Sequence, residues 1–464
     1  MILLIQALPM LALVGLLVSG RAKPPLACGV AILATLPAAW LHLPPDATLG
    51  GFAVNSALQG LWVAIVPVGV MAGGLLFHAA ISKPPQDGAA PAGDMADLAF
   101  SVTFLLGPFT EAVTGFGVGS IFAIGALRRA GLGGAPVAAM AMLAQIMVPW
   151  GGLGPGTAVG AALAGVSTQD MALRNAVQLA AALPFLLLLF WGFCAGCGLR
   201  VSPSQRIRQA LWLAAMGAML VGWHYLVPWE VCGLLTTGPL LAIHTLRTHP
   251  PQGWPGWRRA LAGAFPYLLL AAVLLGSRAW PGPPALDPLP GMPKLPLNHA
   301  MVALWVVALV LLAMRRDALA VAARGLQKMP RTALTLVLFV LLARTLANAG
   351  VPQALALALA GAFGGFAPYA APLLAAGGGF VTGTNTGGNS AMMPLQAALG
   401  NAAGLPPLVL PAVQNGTLTL LMAPQLTAVV AQLAGGLTLG AIWRLLWPVA
   451  LIGIAIGMAA VALG

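Results

Sequence analysis

Acidic residues are nearly missing from this chain: nine in 464 positions, against 21 lysines and arginines, with charged residues only 6% of the total. A typical soluble chain is about 25% charged. Nine carboxylates cannot solvate a surface of this size, and no long polar segment exists to form a separate soluble domain. Cysteine is also scarce. Cys194 and Cys197 form a C-x-x-C near the end of an apolar run, with no second pair and no histidine at metal spacing, and Cys28 and Cys232 stand alone. No disulfide framework or zinc site follows, and small apolar packing is the better reading. The six histidines are scattered, and neither an H-E-x-x-H nor a Walker motif is present, so no metal and no cofactor are expected. The net charge of +12 comes without the interleaved aromatics that bind bases, which argues against nucleic acid.

What the chain has is apolar sequence. Sixty per cent of residues are hydrophobic, in runs of about 18–25 residues, each long enough to cross a hydrocarbon core of roughly 30 Å. Twelve candidate spans run at about 2–19, 26–43, 52–81, 132–166, 172–199, 208–227, 229–246, 260–279, 299–314, 332–349, 405–436 and 440–462. The expected fold class is therefore an all-α polytopic membrane protein. The first run lacks a basic n-region and a cleavage site, so it is read as a retained span. Gly222-Trp223-His224-Tyr225 reads as an interfacial anchor of a helix end.

The basic residues stand at the ends of the apolar runs and report topology. Let the N-terminus face outward and let two stretches, about 96–130 and 367–400, enter and leave the membrane on one side. Seventeen basic residues then fall inside, among them Arg21, Lys83, Arg128, Arg129, Lys328 and Arg444, and only Arg174, Arg278, Lys294 and Arg344 fall outside or within a span. This asymmetry fits the positive-inside rule and a bacterial cytoplasmic (inner) membrane.

One segment occurs twice. Thr157 to Gly165 reads TAVGAALAG and Thr427 to Gly435 reads TAVVAQLAG, seven of nine positions identical, each 44 or 46 residues after a Val-Thr-Gly (Val113-Thr114-Gly115 and Val381-Thr382-Gly383). A duplication accounts for this, and seven spans, an odd number, separate the equivalent points, so the copies are expected to be inverted. The division that follows is a first repeat over 1–200, connecting helices over 201–300 and a second repeat over 301–464.

Gly107 to Gly119 (GPFTEAVTGFGVG) and Gly377 to Ser390 (GGGFVTGTNTGGNS) do not read as continuous helix. Irregular backbone at membrane depth is tolerated only where protein or a water-filled cavity surrounds it, so each is expected to be the tip of a re-entrant hairpin that offers helix N-terminal amides and hydroxyls to an anion. The next long spans break at Pro149 to Gly156 and at Gln414-Asn415-Gly416-Thr417. Two tips and two breaks meeting at the midplane make one site.

These residues resemble the bacterial L-lactate permease family. Glu111 to Gly117 is similar to its Glu-x-x-x-Gly-Phe-Gly segment, Thr382 to Asn389 (TGTNTGGN) to its Thr-Gly-Ser-Asp-Thr-Ser-Ser-Asn, and Met422-Ala423-Pro424-Gln425 to its Met/Ile-Ser-Pro-Gln element. The likeness covers both repeat cores, including Arg344 to Gly365, and is thin between them. Asn385 stands where the family has an acid, Leu420 where it has a lysine, and Gln145-Ile146 where it has an asparagine-threonine pair. The chain thus resembles a divergent member.

Glu111 is the one acid of the first hairpin tip, Gly107 to Gly119. A charged carboxylate at membrane depth is costly, which suits a group that takes up and releases a proton; the alternative is a cap on the hairpin's second arm. Arg344 could hold a carboxylate or could snorkel to the headgroups. The remaining substrate-site candidates are Thr114, Gly115, Phe116, Gly117 and Gln145 from the first repeat, and Thr382, Gly383, Thr384, Asn385, Thr386, Asn389, Ser390, Gln414 and Asn415 from the second. Gln145 has the alternative of an interhelical hydrogen bond.

The resemblance implies a symporter of a small monocarboxylate such as L-lactate or glycolate, with protons as coupling ion and no enzymatic activity. A carrier of another small organic anion, sodium-coupled, is the alternative, because Asn385 and unwound carbonyls suit a hard cation. The hairpins suggest an elevator motion. The expected partners are the anion, the coupling ion, the bilayer and a second copy of the chain. A channel fits the inverted repeat poorly, and a membrane-embedded enzyme would need more converging acids, bases or ligands than Glu111.

Overall fold

A computed structural model describes residues 2–19, 22–82, 94–327 and 329–464. Arg21, Lys83 and Lys328, which entered the charge count, lie outside the described residues. The chain folds as an all-α polytopic membrane protein. Among the described residues, eight helical segments are long and apolar enough to cross a membrane, and four shorter apolar helices accompany them.

A hairpin followed by a broken helix occurs twice. α1 (Ile2–Val18), α2 (Pro24–Trp40) and α3 (Leu49–Ile81) lead into a hairpin. Its first arm is α4 (Met95–Ser101), a π-helical turn at Val102–Leu106 and α5 (Gly107–Thr114), and its second arm is α6 (Val118–Arg129). A broken helix follows, with α7 (Ala135–Leu143) and α8 (Pro155–Ala164) joined through a 3-10 turn at Val148–Leu153. Then come α9 (Thr168–Gly196), α10 (Pro203–Trp223), α11 (Trp229–Thr248), α12 (Gly253–Arg278), α13 (Ala300–Ala313), α14 (Ala318–Leu326), α15 (Met329–Asn348) and α16 (Val351–Phe363). A second hairpin, α17 (Ala371–Thr382) and α18 (Asn385–Ala402), precedes a second broken helix, α19 (Val409–Asn415) and α20 (Pro424–Leu433), before α21 (Leu439–Leu463). A two-residue strand pair, Ala285–Leu286 with Leu295–Pro296, closes the loop between α12 and α13.

The two TAV segments occupy equivalent places: each is the second half of a broken helix, entered through a proline at its first turn. Both Val-Thr-Gly segments end a hairpin arm, with Gly115 at φ 69° and Gly383 at φ 71°, where an L side chain is strained. The base of the first hairpin lies against the end of α20, where Arg128 donates to the Leu433 carbonyl. The end of α8 packs instead near the base of the second hairpin, in a cluster holding Ala161, Leu163, Met393 and Leu408.

The tips are shorter than the sequence suggests. Gly107–Thr114 is helical, as are the stretch up to Thr382 and the stretch from Asn385, so the irregular backbone shrinks to 115–117 and 383–384. Away from water an open amide costs several kcal/mol, more than the roughly 1 kcal/mol that glycine costs a helix, so the chain stays helical until the turn demands otherwise. α16 was not among the expected spans. Its 13 residues, bounded by Gly350 at φ 69° and Gly364 at φ 52°, are too short to register as a run.

The largest core cluster joins the first hairpin, α7, α9, α10 and α21. Phe104 and Phe190 pack edge to face within it, with ring centroids 5.4 Å apart. α12 is the opposite case. Only Leu270 and Leu274 are buried on it, while Leu261, Phe265 and Leu268 are exposed, a surface suited to lipid.

Candidate functional site

The hairpin tips are set by their own sequences. Thr114 Oγ1 donates to the Thr110 carbonyl at 2.6 Å, and Thr382 Oγ1 to the Gly378 carbonyl at 2.7 Å, so both tip hydroxyls bond back into their arms. Within the first tip Phe116 sits at φ 57° and Gly117 at φ 84°. A left-handed phenylalanine costs about 1–2 kcal/mol, which its packing must offset. Within the second, Thr384 caps α18 by accepting from the Gly387 amide at 2.9 Å.

Glu111 is buried and turns toward the start of α6. Its Oε2 accepts from the Gly119 amide at 3.1 Å and from Gln145 Nε2 at 3.0 Å, and its Oε1 from the Gly117 amide at 3.4 Å. All three partners are donors, which is the hydrogen-bonding pattern of an ionised acid. Gly119 makes this possible, since a Cβ there would lie 2.5 Å from the Gly107 carbonyl oxygen and push the arms apart. The capping geometry weighed from the sequence is therefore present.

A cavity of about 220 Å³ opens beside this carboxylate, lined by Glu111, Phe116, Gly117 and Gln145 on one side and by Gly383, Thr384, Asn385 and Thr386 on the other. Pro155 and Gly156, the first turn of α8, line it too, so helices α6, α8 and α18 all start there. Glu111 occupies amides of α6; the positive ends of α8 and α18 are left to attract an anion. Asn385 Oδ1 accepts from Asn389 Nδ2 at 2.6 Å, while its Nδ2 is buried with no partner. Buried donors without a partner are uncommon. Leu420 also lines the cavity and gives it an apolar wall.

Behind the cavity runs a network of amides and hydroxyls that sequence reading found only in part. Asn415 Oδ1 accepts from Asn389 Nδ2 at 2.7 Å, and its Nδ2 donates to Asn175 Oδ1 at 2.5 Å and to Thr157 Oγ1 at 3.0 Å. Asn389 Nδ2 also reaches the Gly156 carbonyl at 2.9 Å, tying α18 to α8. Thr157 and Asn175 were not among the expected residues. Thr157 could have been found as the first position of the repeated segment, whereas Asn175 is one of three amides on α9, with Gln169 and Gln178, and nothing in the sequence singles it out.

Three candidates lie elsewhere. Ser390 Oγ is buried without a partner and is not among the cavity residues. Gln414 Oε1 accepts from Gln396 Nε2 at 3.2 Å, a contact that pairs the second hairpin with the second broken helix away from the cavity. Arg344 lines a different cavity, beside α3 and the end of α8.

Residues 297–441 match the family model described as L-lactate permease. That span holds the second tip, Asn385, Asn389 and Asn415, and leaves the first hairpin with Glu111 outside the matched part. No curated protein sequence matches the chain. The match points to a lactate transporter rather than an enzyme, and it supports the chain's membership of the L-lactate permease family.

Proposed function

We propose that the chain is a proton-coupled symporter of small monocarboxylates such as L-lactate or glycolate, acting in the bacterial inner membrane. The observation that carries the reading is the cavity where α8 and α18 begin, with Asn385 on one wall and the buried Glu111 on the other. The substrate carboxylate sits at the two helix N-termini and accepts from Asn385. Glu111 carries the proton. Protonation of its Oε2 takes an acceptor from the Gly119 amide and Gln145 Nε2, and frees Gln145, which lines the cavity, to donate to the substrate instead. Proton and carboxylate therefore favour each other's binding.

The repeated element order, with the first hairpin's base at the end of α20 and the second's near the end of α8, supports two inverted repeats, 1–200 and 301–464, joined by helices over 201–300. In this reading both hairpins are re-entrant and move as an elevator against a fixed scaffold that includes α3 and α15. Cysteines placed at a tip and on α15 are expected to crosslink in two distinct sets as the gradient is reversed, and one fixed set in every state would sink the elevator.

The direct test is uptake of labelled lactate and glycolate into proteoliposomes under an imposed proton gradient and, separately, a sodium gradient. Proton-driven uptake is expected. Asn385 in place of an acid and Leu420 in place of a lysine favour a second reading, a sodium-coupled carrier of another organic anion. Uptake of neither acid under either gradient would move the assignment to that reading.

A further inference from the structure

A second cavity, of about 560 Å³, lies between α3, the C-terminal half of α8, α15 and the loop before α13. By the charge count this is the outer end of the fold. An apolar cluster of Val63, Val159, Leu336 and Val340, with Phe116 of the first tip packed against it, is shared by both cavities: Val63 and Val159 line the outer one and Phe116 the tip cavity.

The charges of the outer cavity do not balance. Lys294 is paired with Asp287 at 2.8 Å, and His299 Nδ1 accepts from the Met301 amide at 3.1 Å. Among the described residues that line it there is no carboxylate. Arg344 is the cation left over. It is half-buried, spends one donor on Gln59 Oε1 at 2.7 Å, and keeps a buried Nε without a partner. A guanidinium held this way lacks the acceptors its five donors can serve.

We propose that this cavity is an outer anion site, in which Arg344 binds a small carboxylate before it passes the Phe116 cluster to the tip cavity. The inference rests on the reading that the chain carries an organic anion, and gives Arg344 a place in that route apart from the coupling site.

The test uses charge-selective labelling, which requires no transport. Ala162, a lining residue of α8, is replaced by cysteine in a protein whose four native cysteines are serine, and proteoliposomes are treated from outside with an anionic or a cationic methanethiosulfonate. The anionic reagent is expected to react about tenfold faster, as a one-sign cleft concentrates its counter-ion. Arg344→Gln should erase that preference and Arg344→Lys should keep part of it. Acetate or L-lactate should slow labelling only where the charge remains. Asn348 Nδ2 keeps α15 joined to Ser56 Oγ and Gln59 Oε1 at 3.0 and 3.1 Å, so the α3–α15 contact survives these changes. Equal rates for the two reagents, a preference untouched by Arg344→Gln, or a preference without protection by carboxylates would each overturn the proposal. A protein that moves no lactate but keeps the Arg344-dependent preference and protection would overturn the lactate reading alone.

Discussion

Glu111→Gln is expected to bring proton-driven lactate uptake down to that of protein-free liposomes while leaving exchange of labelled for unlabelled lactate across the same membrane. The amide keeps one acceptor for the α6 amides, and the side chain of Gln145 can rotate to offer its carbonyl oxygen to the new NH₂. What it cannot do is give up and take back a proton. Net uptake requires the empty carrier to return without its proton, whereas exchange requires only that the loaded carrier cross in both directions. Glu111→Ala separates this role from the structural one. It strands the Gly117 and Gly119 amides and Gln145 Nε2, all buried. At about 1–3 kcal/mol for each orphaned donor, a loss of about 3 kcal/mol or more is expected, read as a lower melting temperature in detergent. If glutamine abolishes exchange together with uptake and lowers stability as far as alanine does, Glu111 is a cap and the proton travels elsewhere.

Both roles could be named from the sequence because Glu111 stands alone among apolar neighbours and just before a glycine-rich turn. The likeness of the two hairpin and broken-helix units was legible for a related reason. Val-Thr-Gly and the TAV segments recur at nearly equal spacing, and in the fold they take equivalent positions, the ends of hairpin arms and the second halves of broken helices. The extent of the tips was not legible. Rules that read glycine runs as irregular are drawn from chains whose open amides can bond to water, and here Gly377 to Thr382 stays helical because nothing else would take those bonds. Position along the chain also did not tell which polar residues share a cavity. Gln414 and Asn415 are neighbours, yet one faces Gln396 and the other Asn389 and Thr157, because successive side chains on a helix point about 100° apart. Arg344 was placed in one site with the tips for want of that third dimension.

Asn415→Ala is expected to be as damaging as any substitution at the cavity, although Asn415 does not line it. The side chain ends α19 at the second break and holds Asn389 of the second hairpin, Thr157 of the first broken helix and Asn175 of α9. Truncation leaves each of these with one partner fewer in a buried setting, for an expected cost of about 3 kcal/mol. The functional loss should exceed the loss of stability. Asn389 bonds to Asn385 Oδ1, and so orients an amide that lines the cavity; without Asn415 that orientation is no longer fixed from behind. Asn415→Asp offers the sharper comparison. A carboxylate can still accept from Asn389 Nδ2 but cannot donate to Asn175 Oδ1, so Asn175→Asp makes matters worse and Asn175→Ala, which removes the opposed acceptor, should recover part of the lost stability. A double-mutant cycle on melting temperature and lactate KM across Asn415 and Asn175 measures that coupling directly, and additive effects would show that the two side chains act independently.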